Sequence, residues 1–529
     1  MTSSRIFLVL CVFSSLAFGG THRNENHPAQ STGDLDYEKA GEEAIRQFNI
    51  MHVRYALTYL ASDSLEGRET SEPGQKKAAE FIASQFNEFG LKPLGDSGTF
   101  LQHFCINVHY ISDSSFIEVD GKHFQNNKDF FVAPFGAGDT TVAGSAVFAG
   151  YGFENSIYSD YKGIDVNGKI VVLLAGNPPF ADTNDIMTET ELYKRTNAAK
   201  HGAAAVLLVT RSGRDEFTEI RKRYMSMFGN NTMTLDAGAK ENKSRAMMQL
   251  VYVKAEVANE FLKARGADID GLARRIDSSG TPASMELGKT IIKVKLASET
   301  RESENVIGML EGSSRKNEYI VYSAHYDHLG KTPDGIIYHG ADDNASGTST
   351  VLGIAETYSK SKVKPKRSII FLTVAGEEKG LLGSEYFTSH PTVPIKGIVT
   401  DLNTDMDGRV DTSYVGRDSD YVFVIGSNRL SEELDSLLVS ADSQSVKIKL
   451  DYSFDSDNDP NQFYYRSDHY NFAKKSIPVA FFFDGNIPDY HKPTDTSEKI
   501  DFPLLEKRAK LIFMAGWKVA NLDWRIRLN

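Results

Sequence analysis

The order of apolar and polar residues predicts three successive textures along the chain. Near the N-terminus, Ala79, Ile82 and Phe86 recur at helical spacing, which predicts an amphipathic helix that ends at Gly90. Residues 115–295 contain short apolar runs between glycine turns, a pattern typical of strands. After them strands and helices alternate, which predicts an α/β fold with helices on both faces of a sheet.

Histidine or glutamate side chains follow three apolar runs of this C-terminal part, at residues 320–324, 368–374 and 479–483. The runs have the length and composition of buried strands. In an open α/β sheet, ligands bind at the carboxyl ends of the strands. We therefore predict that the polar residues after these runs lie together at one edge of the sheet.

Composition excludes several classes of protein. The length of 529 residues allows about two to four domains. With 40% hydrophobic residues, including 31 Phe and 23 Tyr, disorder over most of the chain is excluded. The net charge of −12 argues against nucleic acid as a partner, because phosphate binding needs a clustered basic surface. Two cysteines exclude a disulfide scaffold.

The first twenty residues have the pattern of a signal peptide. Arg5 precedes an apolar run at residues 6–18, and Ala17-Phe18-Gly19 is typical of a cleavage site. The run is shorter than the roughly 20 residues that span a bilayer, and no later segment of the sequence is apolar enough to do so. We predict a secreted or periplasmic protein with no integral membrane segment. Cleavage would leave Cys105 as its single cysteine.

Five short segments place side chains that can bind metals or transfer protons just after apolar runs. They are His325-Tyr326-Asp327, Asp342-Asp343-Asn344-Ala345-Ser346-Gly347, Glu377-Glu378, Asn403-Thr404-Asp405-Met406 and Asp489-Tyr490-His491. Each segment alone is a weak indication, but five in order within one α/β domain form a specific pattern. Two histidines with several carboxylates suit zinc, which accepts both nitrogen and oxygen ligands.

Each candidate also has a structural alternative. His325 could be a core histidine bonded to Asp327, and Asp343 could cap the helix that follows it. Glu377 and Glu378 could be acidic residues that favour the first turn of a helix.

Two further residues are rival ligands, Asp407 for the role of Asp405 and His469 for that of His491. Four other polar side chains near these segments could line the cleft, but the sequence favours positions that contact the ligands instead of the metal, or positions on the surface: Asp468, His469, His328 and His339.

Together these motifs resemble the co-catalytic di-zinc exopeptidases of peptidase clan MH, which include bacterial and vacuolar aminopeptidases. The resemblance begins at residues 59–68 and covers nearly the whole mature chain. It implies a mixed sheet covered by helices on both faces, with an inserted β-rich protease-associated domain. The predicted segments are a signal peptide at 1–20, the first part of the peptidase domain at 21–114, the protease-associated insertion at 115–295 and the zinc peptidase catalytic domain at 296–529.

The resemblance also implies two zinc ions per chain and assigns their ligands. His325 and Asp405 would hold one zinc ion, and Glu378 and His491 would hold the other. Asp343 would bridge the two ions. Each zinc ion would then have three protein ligands and an open position.

The catalytic roles are likewise implied by the resemblance. Glu377 would be the general base that takes a proton from a water molecule. The resulting hydroxide, bridging the zinc ions, would attack the scissile carbonyl. The carboxylate of Asp327 would accept the second N–H of the His325 ring. Tyr490 would stabilise the oxyanion.

The resulting prediction is a secreted metallo-aminopeptidase that acts on peptide substrates. A carboxypeptidase is the first alternative, because Arg409, Arg417 or Arg466 could bind a terminal carboxylate. A non-catalytic binding protein on the same scaffold is the second, although all five ligands are present. The full ligand set argues against a related branch that forms pyroglutamyl termini with a single zinc. Oligomeric state, side-chain preference and the role of the insertion are left open.

Overall fold

The computed structural model describes residues 36–133, 139–181, 191–211, 216–228, 231–236, 248, 250–332 and 334–529. The predicted signal peptide lies outside the described residues. Within the described ranges, no helix combines the length and the apolar character that crossing a bilayer requires.

The helices alternate with strands through most of the chain. The helices are α1 Tyr37–Ile45, α2 Ile50–Leu60, α3 Pro73–Glu88, α4 Glu191–Lys200, α5 Glu216–Phe228, α6 Ala255–Leu262, α7 Ile269–Ser279, α8 Gly347–Lys360, α9 Leu382–Ser389, α10 Glu432–Gln444, α11 His469–Ala473 and α12 Phe502–Asn521. The strands are β1 Lys92–Pro93, β2 Leu101–Ile111, β3 Phe116–Val119, β4 Lys122–Gln125, β5 Phe130–Val132, β6 Thr140–Phe148, β7 Ile170–Leu174, β8 Ala205–Val209, β9 Asn231–Leu235, β10 Leu250–Val253, β11 Met285–Val294, β12 Leu296–Leu310, β13 Arg315–His325, β14 Arg367–Val374, β15 Ile398–Thr404, β16 Tyr421–Ile425, β17 Lys449–Asp451 and β18 Val479–Phe483.

The first sheet is mixed and has the strand order β17-β16-β18-β15-β13-β14-β12-β2-β9, with β1 paired to β12. Its four central strands, β18, β15, β13 and β14, run parallel to one another. The strands β12, β2 and β9 continue the sheet in antiparallel pairs. The carboxyl ends of the four parallel strands therefore lie at the same edge, as the sequence pattern requires.

Helices cover both faces of this sheet. Successive residues of a strand point to opposite sides, and on the central strands the residues of both sides are apolar. On β13, Ile320 and Tyr322 belong to the core formed with α1, α2, α3, α8, α10 and α12. Val321, between them, belongs to a second core with Phe387 of α9 and Phe472 of α11. The prediction of a mixed sheet covered by helices on both faces is confirmed.

The second sheet is formed by strands from residues 116–294, in the order β4-β3-β11-β6-β7-β8-β10-β5. It has its own apolar core, to which α6 contributes Val257 and α7 contributes Ile276. One strand of this segment departs from the pattern, since β9 pairs with β2 in the first sheet, Thr234 opposite Asn107. That residues 115–295 form an inserted protease-associated domain stays a prediction.

Candidate metal centre

The four parallel strands deliver the predicted site residues to one edge of the first sheet. His325 is the last residue of β13, and Asp405 directly follows β15. Glu377 and Glu378 lie in the turn between β14 and α9, outside the first helical turn, so their alternative as helix-start acids does not hold. His491 follows β18 after a loop.

Asp343 enters the site from a helical turn at residues 341–346, which precedes α8. The N-cap of α8 is Ser346, so Asp343 does not cap this helix. The Asp343–Asn344 peptide bond is cis. The backbone N–H groups of Asp342 and Asp343 donate to the carboxylate of Asp495, at 3.0 and 3.1 Å.

The motif around Asp343 is tied directly to the strand that carries Asp405. The side-chain amide of Asn344 donates to the carbonyl of Thr404 at 2.9 Å and accepts from the N–H of Met406 at 3.1 Å. A Cβ atom at Gly347 would lie 2.4 Å from the Thr404 carbonyl, so only glycine allows this close approach. Asparagine and glycine in this motif therefore hold Asp343 against Asp405.

The predicted ligand atoms form two groups that share Asp343. His325 Nε2 lies 3.1 Å from Asp405 Oδ1 and 3.4 Å from Asp343 Oδ1. His491 Nε2 lies 3.1 Å from the other oxygen of Asp343, Oδ2, and 3.1 Å from Glu378 Oε2. The two oxygens of Asp343 thus face different groups, which is the arrangement of a bridging carboxylate.

These distances fit zinc. Bonds of about 2.0–2.1 Å at a tetrahedral centre place neighbouring ligand atoms about 3.3 Å apart. Asp343 Oδ2 and His491 Nε2 are buried and lack a hydrogen-bond partner although they are close together. A cation between these two atoms would give both of them a partner. His325, Asp343 and Asp405 alone already form a group that could hold a metal ion.

The ring of His325 is oriented by a backbone carbonyl. Its Nδ1 lies 3.2 Å from the carbonyl oxygen of Asp327 and 3.8 Å from the carboxylate of the same residue. A carbonyl can only accept, so Nδ1 carries the proton and the Nε2 lone pair is free for a metal. This corrects the prediction that the Asp327 carboxylate accepts the N–H. That carboxylate instead accepts from Thr70 Oγ1 at 2.7 Å and from the N–H of Glu377 at 3.2 Å.

The two adjacent glutamates have opposite electrostatic environments. Burial raises the pKa of Glu377 well above its ordinary value; His325 opposes this shift, and the carboxylates of Asp405 and Glu378 add to it. Burial also favours protonation of Glu378, but the neighbouring histidines, His491 above all, lower its pKa to about 2. Neighbouring acids whose pKa values are driven apart are typical of a division between proton transfer and charge stabilisation.

The histidine of the second group is charged by its carboxylate neighbours. Burial lowers the pKa of His491, but Glu378 and Asp343 outweigh it and raise the pKa to about 10. Burial raises the pKa of Asp343, but the neighbouring rings of His325 and His491 outweigh it and hold this pKa well below the ordinary value. The site therefore favours a positive charge between its carboxylates, which a divalent cation would supply.

A pocket adjoins the ligand atoms. Asp343, Glu377 and Asp405 line it on one side. The remaining lining is largely apolar and aromatic: Met406, Phe463, Phe481, Phe483 and Tyr490, together with Gly485, Asn486 and Arg466. The predicted residue Tyr490 therefore shares a pocket with the predicted base.

The three candidate arginines are placed differently. Arg466 lines the pocket, where its guanidinium lies 3.5 Å from the Tyr490 hydroxyl and 5.0 Å from the ring centre of Phe463. Arg409 is paired with Asp489 at 3.1 Å. Arg417 is absent from the lining of the pocket.

Neither rival ligand joins the two groups. His469 is fully buried and stacks on Phe481, with 4.7 Å between ring centres. Asp407 accepts from Thr350 Oγ1 at 2.7 Å. His328 is fully buried beside Glu378, so it contacts a predicted ligand and does not lie on the surface.

Arg68 is a further residue whose role the sequence motifs do not reveal. Its guanidinium is fully buried and donates to the carbonyls of Tyr326, His339 and Gly340 at 2.8, 2.8 and 2.9 Å, and to that of Leu60. Burial lowers its pKa to about 10, so it remains charged at neutral pH. The signal available in the sequence is its place at the end of the stretch 59–68 that carries the resemblance.

The chain is similar to known peptidases. Residues 305–515 match a family described as Peptidase family M28. A probable leucine aminopeptidase of Trichophyton verrucosum (strain HKI 0517) is 29% identical over 238 residues, which are 43% of this chain and 61% of the relative. Aminopeptidase YwaD of Bacillus subtilis (strain 168) is 30% identical over 229 residues, 42% of this chain and 46% of the relative. The chain thus spans about half to three fifths of these curated relatives.

Solved structures share the fold over nearly the full length. An aminopeptidase from Aneurinibacillus sp. strain AM-1 has a TM-score of 0.56 at 20% identity, covering 92% of this chain and 97% of that one. BSAP, a zinc aminopeptidase from Bacillus subtilis, has a TM-score of 0.53 at 19% identity, covering 91% and 98%. With the family match, these likenesses confirm the resemblance that the motifs indicate.

Proposed function

We propose that this chain, whose residues 305–515 match peptidase family M28, is a secreted di-zinc aminopeptidase that removes N-terminal residues from peptides. One observation carries the proposal: Asp343 is shared by two groups of ligand atoms beside the buried base candidate Glu377. The similarity to proteins named as aminopeptidases supports the same activity. Export rests on the N-terminal pattern, and N-terminal sequencing of protein recovered outside the producing cell tests it.

Two zinc ions would be held by these groups. His325 Nε2 and Asp405 Oδ1 would bind one ion, and His491 Nε2 and Glu378 Oε2 the other, with one oxygen of Asp343 on each. Three protein ligands per ion leave an open position, which is the arrangement of catalytic rather than structural zinc sites.

When bound, the zinc ions lower the pKa of a water molecule and polarise the scissile carbonyl. Glu377 takes the proton of that water on its carboxylate and passes it to the nitrogen of the leaving amine, a role that its raised pKa supports. The hydroxyl of Tyr490 donates a hydrogen bond to the oxygen on which charge develops. The apolar wall of Met406, Phe463 and Phe481 receives the side chain of the N-terminal residue, so apolar residues are preferred.

A panel of small substrates tests this proposal. Aminoacyl-nitroanilides, their N-blocked forms and peptides with free carboxyl termini are incubated with and without a chelator. We expect chelator-sensitive cleavage of the free-amine substrates alone. Glu377→Gln is expected to lower kcat by about 10²–10⁴-fold because it removes proton transfer, while zinc content is unchanged. Cleavage that a chelator leaves intact would contradict the zinc mechanism.

The carboxypeptidase alternative is favoured by one observation, the position of Arg466 in the pocket. No carboxylate of the described residues lies within ion-pair distance of its guanidinium, which could therefore bind a terminal carboxylate. Cleavage of N-blocked peptides from the carboxyl end, lost in Arg466→Gln, would reverse the direction of the proposal. No turnover despite two bound zinc ions would favour a binding protein.

A further inference from the structure

We infer that His328 positions the zinc ligand Glu378: its Nδ1–H holds Glu378 Oε1, so that Glu378 binds zinc through Oε2 alone. The inference rests on the proposed two-zinc site. It concerns a side chain outside the predicted ligand set, and it gives that side chain a specific function.

The contact between the two side chains is short and well defined. His328 Nδ1 lies 2.7 Å from Glu378 Oε1. A carboxylate oxygen only accepts hydrogen bonds, so Nδ1 is the donor in this contact and carries the proton. Hydrogen bonds to a carboxylate are shorter and stronger than those between neutral groups, in agreement with this distance.

The ring of His328 has little freedom to leave this position. It is fully buried, and its Cγ and Cδ2 atoms pack against the backbone of Gly340, where a Cβ atom would lie 2.5 Å from both. The N–H of His328 donates to the carbonyl of Arg68 at 3.2 Å, so the backbone is fixed as well. A donor held in this way can fix the orientation of the carboxylate it contacts.

His328, Asp343 and Glu378 also lie close enough to hold a metal ion, but the individual distances favour a positioning role for His328 over that of a ligand. Ligand atoms that share a tetrahedral zinc ion lie about 3.3 Å apart. His491 Nε2 satisfies this at 3.1 Å from both Asp343 Oδ2 and Glu378 Oε2. His328 Nδ1 does not, because it is 2.7 Å from Glu378 Oε1 and 3.9 Å from Asp343 Oδ2. His491 therefore completes the metal group, whereas His328 bonds to a ligand.

The consequence for the metal concerns its coordination number. A glutamate can bind zinc with one oxygen or with both. With Oε1 occupied by His328, Glu378 contributes only Oε2, and one coordination position stays available for water or substrate. Loss of the hydrogen bond would free Oε1 to enter that position.

The test compares two substitutions of nearly equal size. His328→Asn keeps an N–H donor close to the position of Nδ1, whereas His328→Leu removes it. We expect His328→Leu to weaken zinc binding by about 10–100-fold in competition with a chelator, with a lower kcat and a changed visible spectrum of the cobalt-substituted protein. His328→Asn is expected to restore most of the affinity and the spectrum. If His328→Leu does not fold, His328→Gln, which displaces the donor, takes its place.

His469→Leu is the matched control, because His469 is equally buried but contacts no predicted ligand. It should leave zinc affinity and the cobalt spectrum unchanged. The inference is overturned if His328→Leu and His328→Asn behave alike, or if His328→Leu holds one zinc ion at saturation, which would make His328 a ligand. A wild-type protein that binds no zinc would instead refute the proposed function. The two failures can be told apart because the competition assay measures zinc binding without any need for turnover.

Discussion

Buried histidines in this protein differ mainly in whether a carboxylate lies close enough to stabilise their positive charge. His469 is an example without such a carboxylate. It is completely buried against Phe481, and burial lowers its pKa from 6.5 to about 3. Its ring therefore stays neutral in the folded protein over the whole physiological range, whereas His491 is charged by its carboxylates.

The depressed pKa of His469 predicts a loss of stability in acid. The folded-state pKa lies below that of a free histidine, so protonation favours the unfolded chain once the pH falls below 6.5. The contribution of neutral His469 to the free energy of unfolding is complete above pH 6.5 and is lost as the pH falls towards 3. Between pH 7.5 and pH 5 it amounts to about 2 kcal/mol of the free energy of unfolding. Urea denaturation of His469→Leu should show a pH dependence smaller by this amount, and an unchanged dependence would contradict it.

At this scale the sequence predicts residue types better than contacts. The five ligand segments are recognisable because each follows an apolar run, and the structure brings their side chains together. The sequence cannot show whether the carboxylate or the carbonyl of Asp327 contacts His325. Both groups belong to one residue, and the choice between them depends on backbone dihedrals. Nor does it reveal that His328 is buried against Glu378, since this contact arises from the packing of distant loops.

At the level of elements, Arg68 joins segments that are distant in sequence. Its four acceptors are carbonyls of the last residue of α2, of the residue after β13 and of the loop before Asp343. Three of these carbonyls lie next to the segments of His325 and Asp343, and all four have to be paired because the region is buried. One guanidinium thus fixes several loop ends at once.

Arg68→Lys is expected to lower the free energy of unfolding by about 2–4 kcal/mol. A lysine ammonium is a compact charge that cannot reach all the carbonyls bound by the planar guanidinium, and buried acceptors remain unpaired. Urea denaturation measures the effect. The control is Arg46→Lys, because the Arg46 side chain is 74% exposed and paired only with Glu42 at 3.8 Å. Equal midpoints for the two variants would contradict a role of Arg68 in joining the loops.

The elements themselves are largely predictable, for a physical reason. The apolar runs at 320–324, 368–374 and 479–483 fall within β13, β14 and β18, because strands buried on both faces need continuous apolar sequence. The turn at 341–346 is less predictable, since it departs from α-helical dihedrals in order to present Asp343. Hydrophobic periodicity carries no information about such a local geometry.

At the scale of the whole molecule, the candidate metal centre joins segments of the second half of the chain, and Arg68 attaches the N-terminal region to them. The two ligand groups involve segments after four strands, and Arg68 adds the N-terminal region. A cation that binds here stabilises only the folded chain, because the ligands meet only in the fold.

Zinc is therefore expected to raise the thermal unfolding temperature in a concentration-dependent manner. A single site adds about 2.7 kcal/mol when free zinc is 100 times the dissociation constant. Differential scanning calorimetry with zinc and with a chelator measures the shift. Glu377→Gln should keep the shift because it removes no ligand, and Asp343→Asn should lose most of it because it removes the shared one. Equal shifts in both variants would argue against Asp343 as the bridge.

The order of strands is the part of the architecture that the sequence does not reveal. The change of texture at about residue 115 does coincide with the start of the second sheet, since β3 begins at Phe116. The pairing of β9 with β2 is a contact across more than a hundred residues, and it is selected by register and exposed edges rather than by local pattern.

This pairing limits how the chain could be divided or recombined. If residues 116–294 were excised and the ends rejoined, the first sheet would lose its outermost strand, and residues 106–110 of β2 would present bare N–H and C=O groups to solvent. An uncovered edge of this kind invites pairing between molecules, and so aggregation. A transplantable unit would have to leave β9 behind or supply a substitute for it. The second sheet is thus not an independent unit. Exchange of this region between relatives would have to preserve a strand that pairs with β2 at the edge of the first sheet.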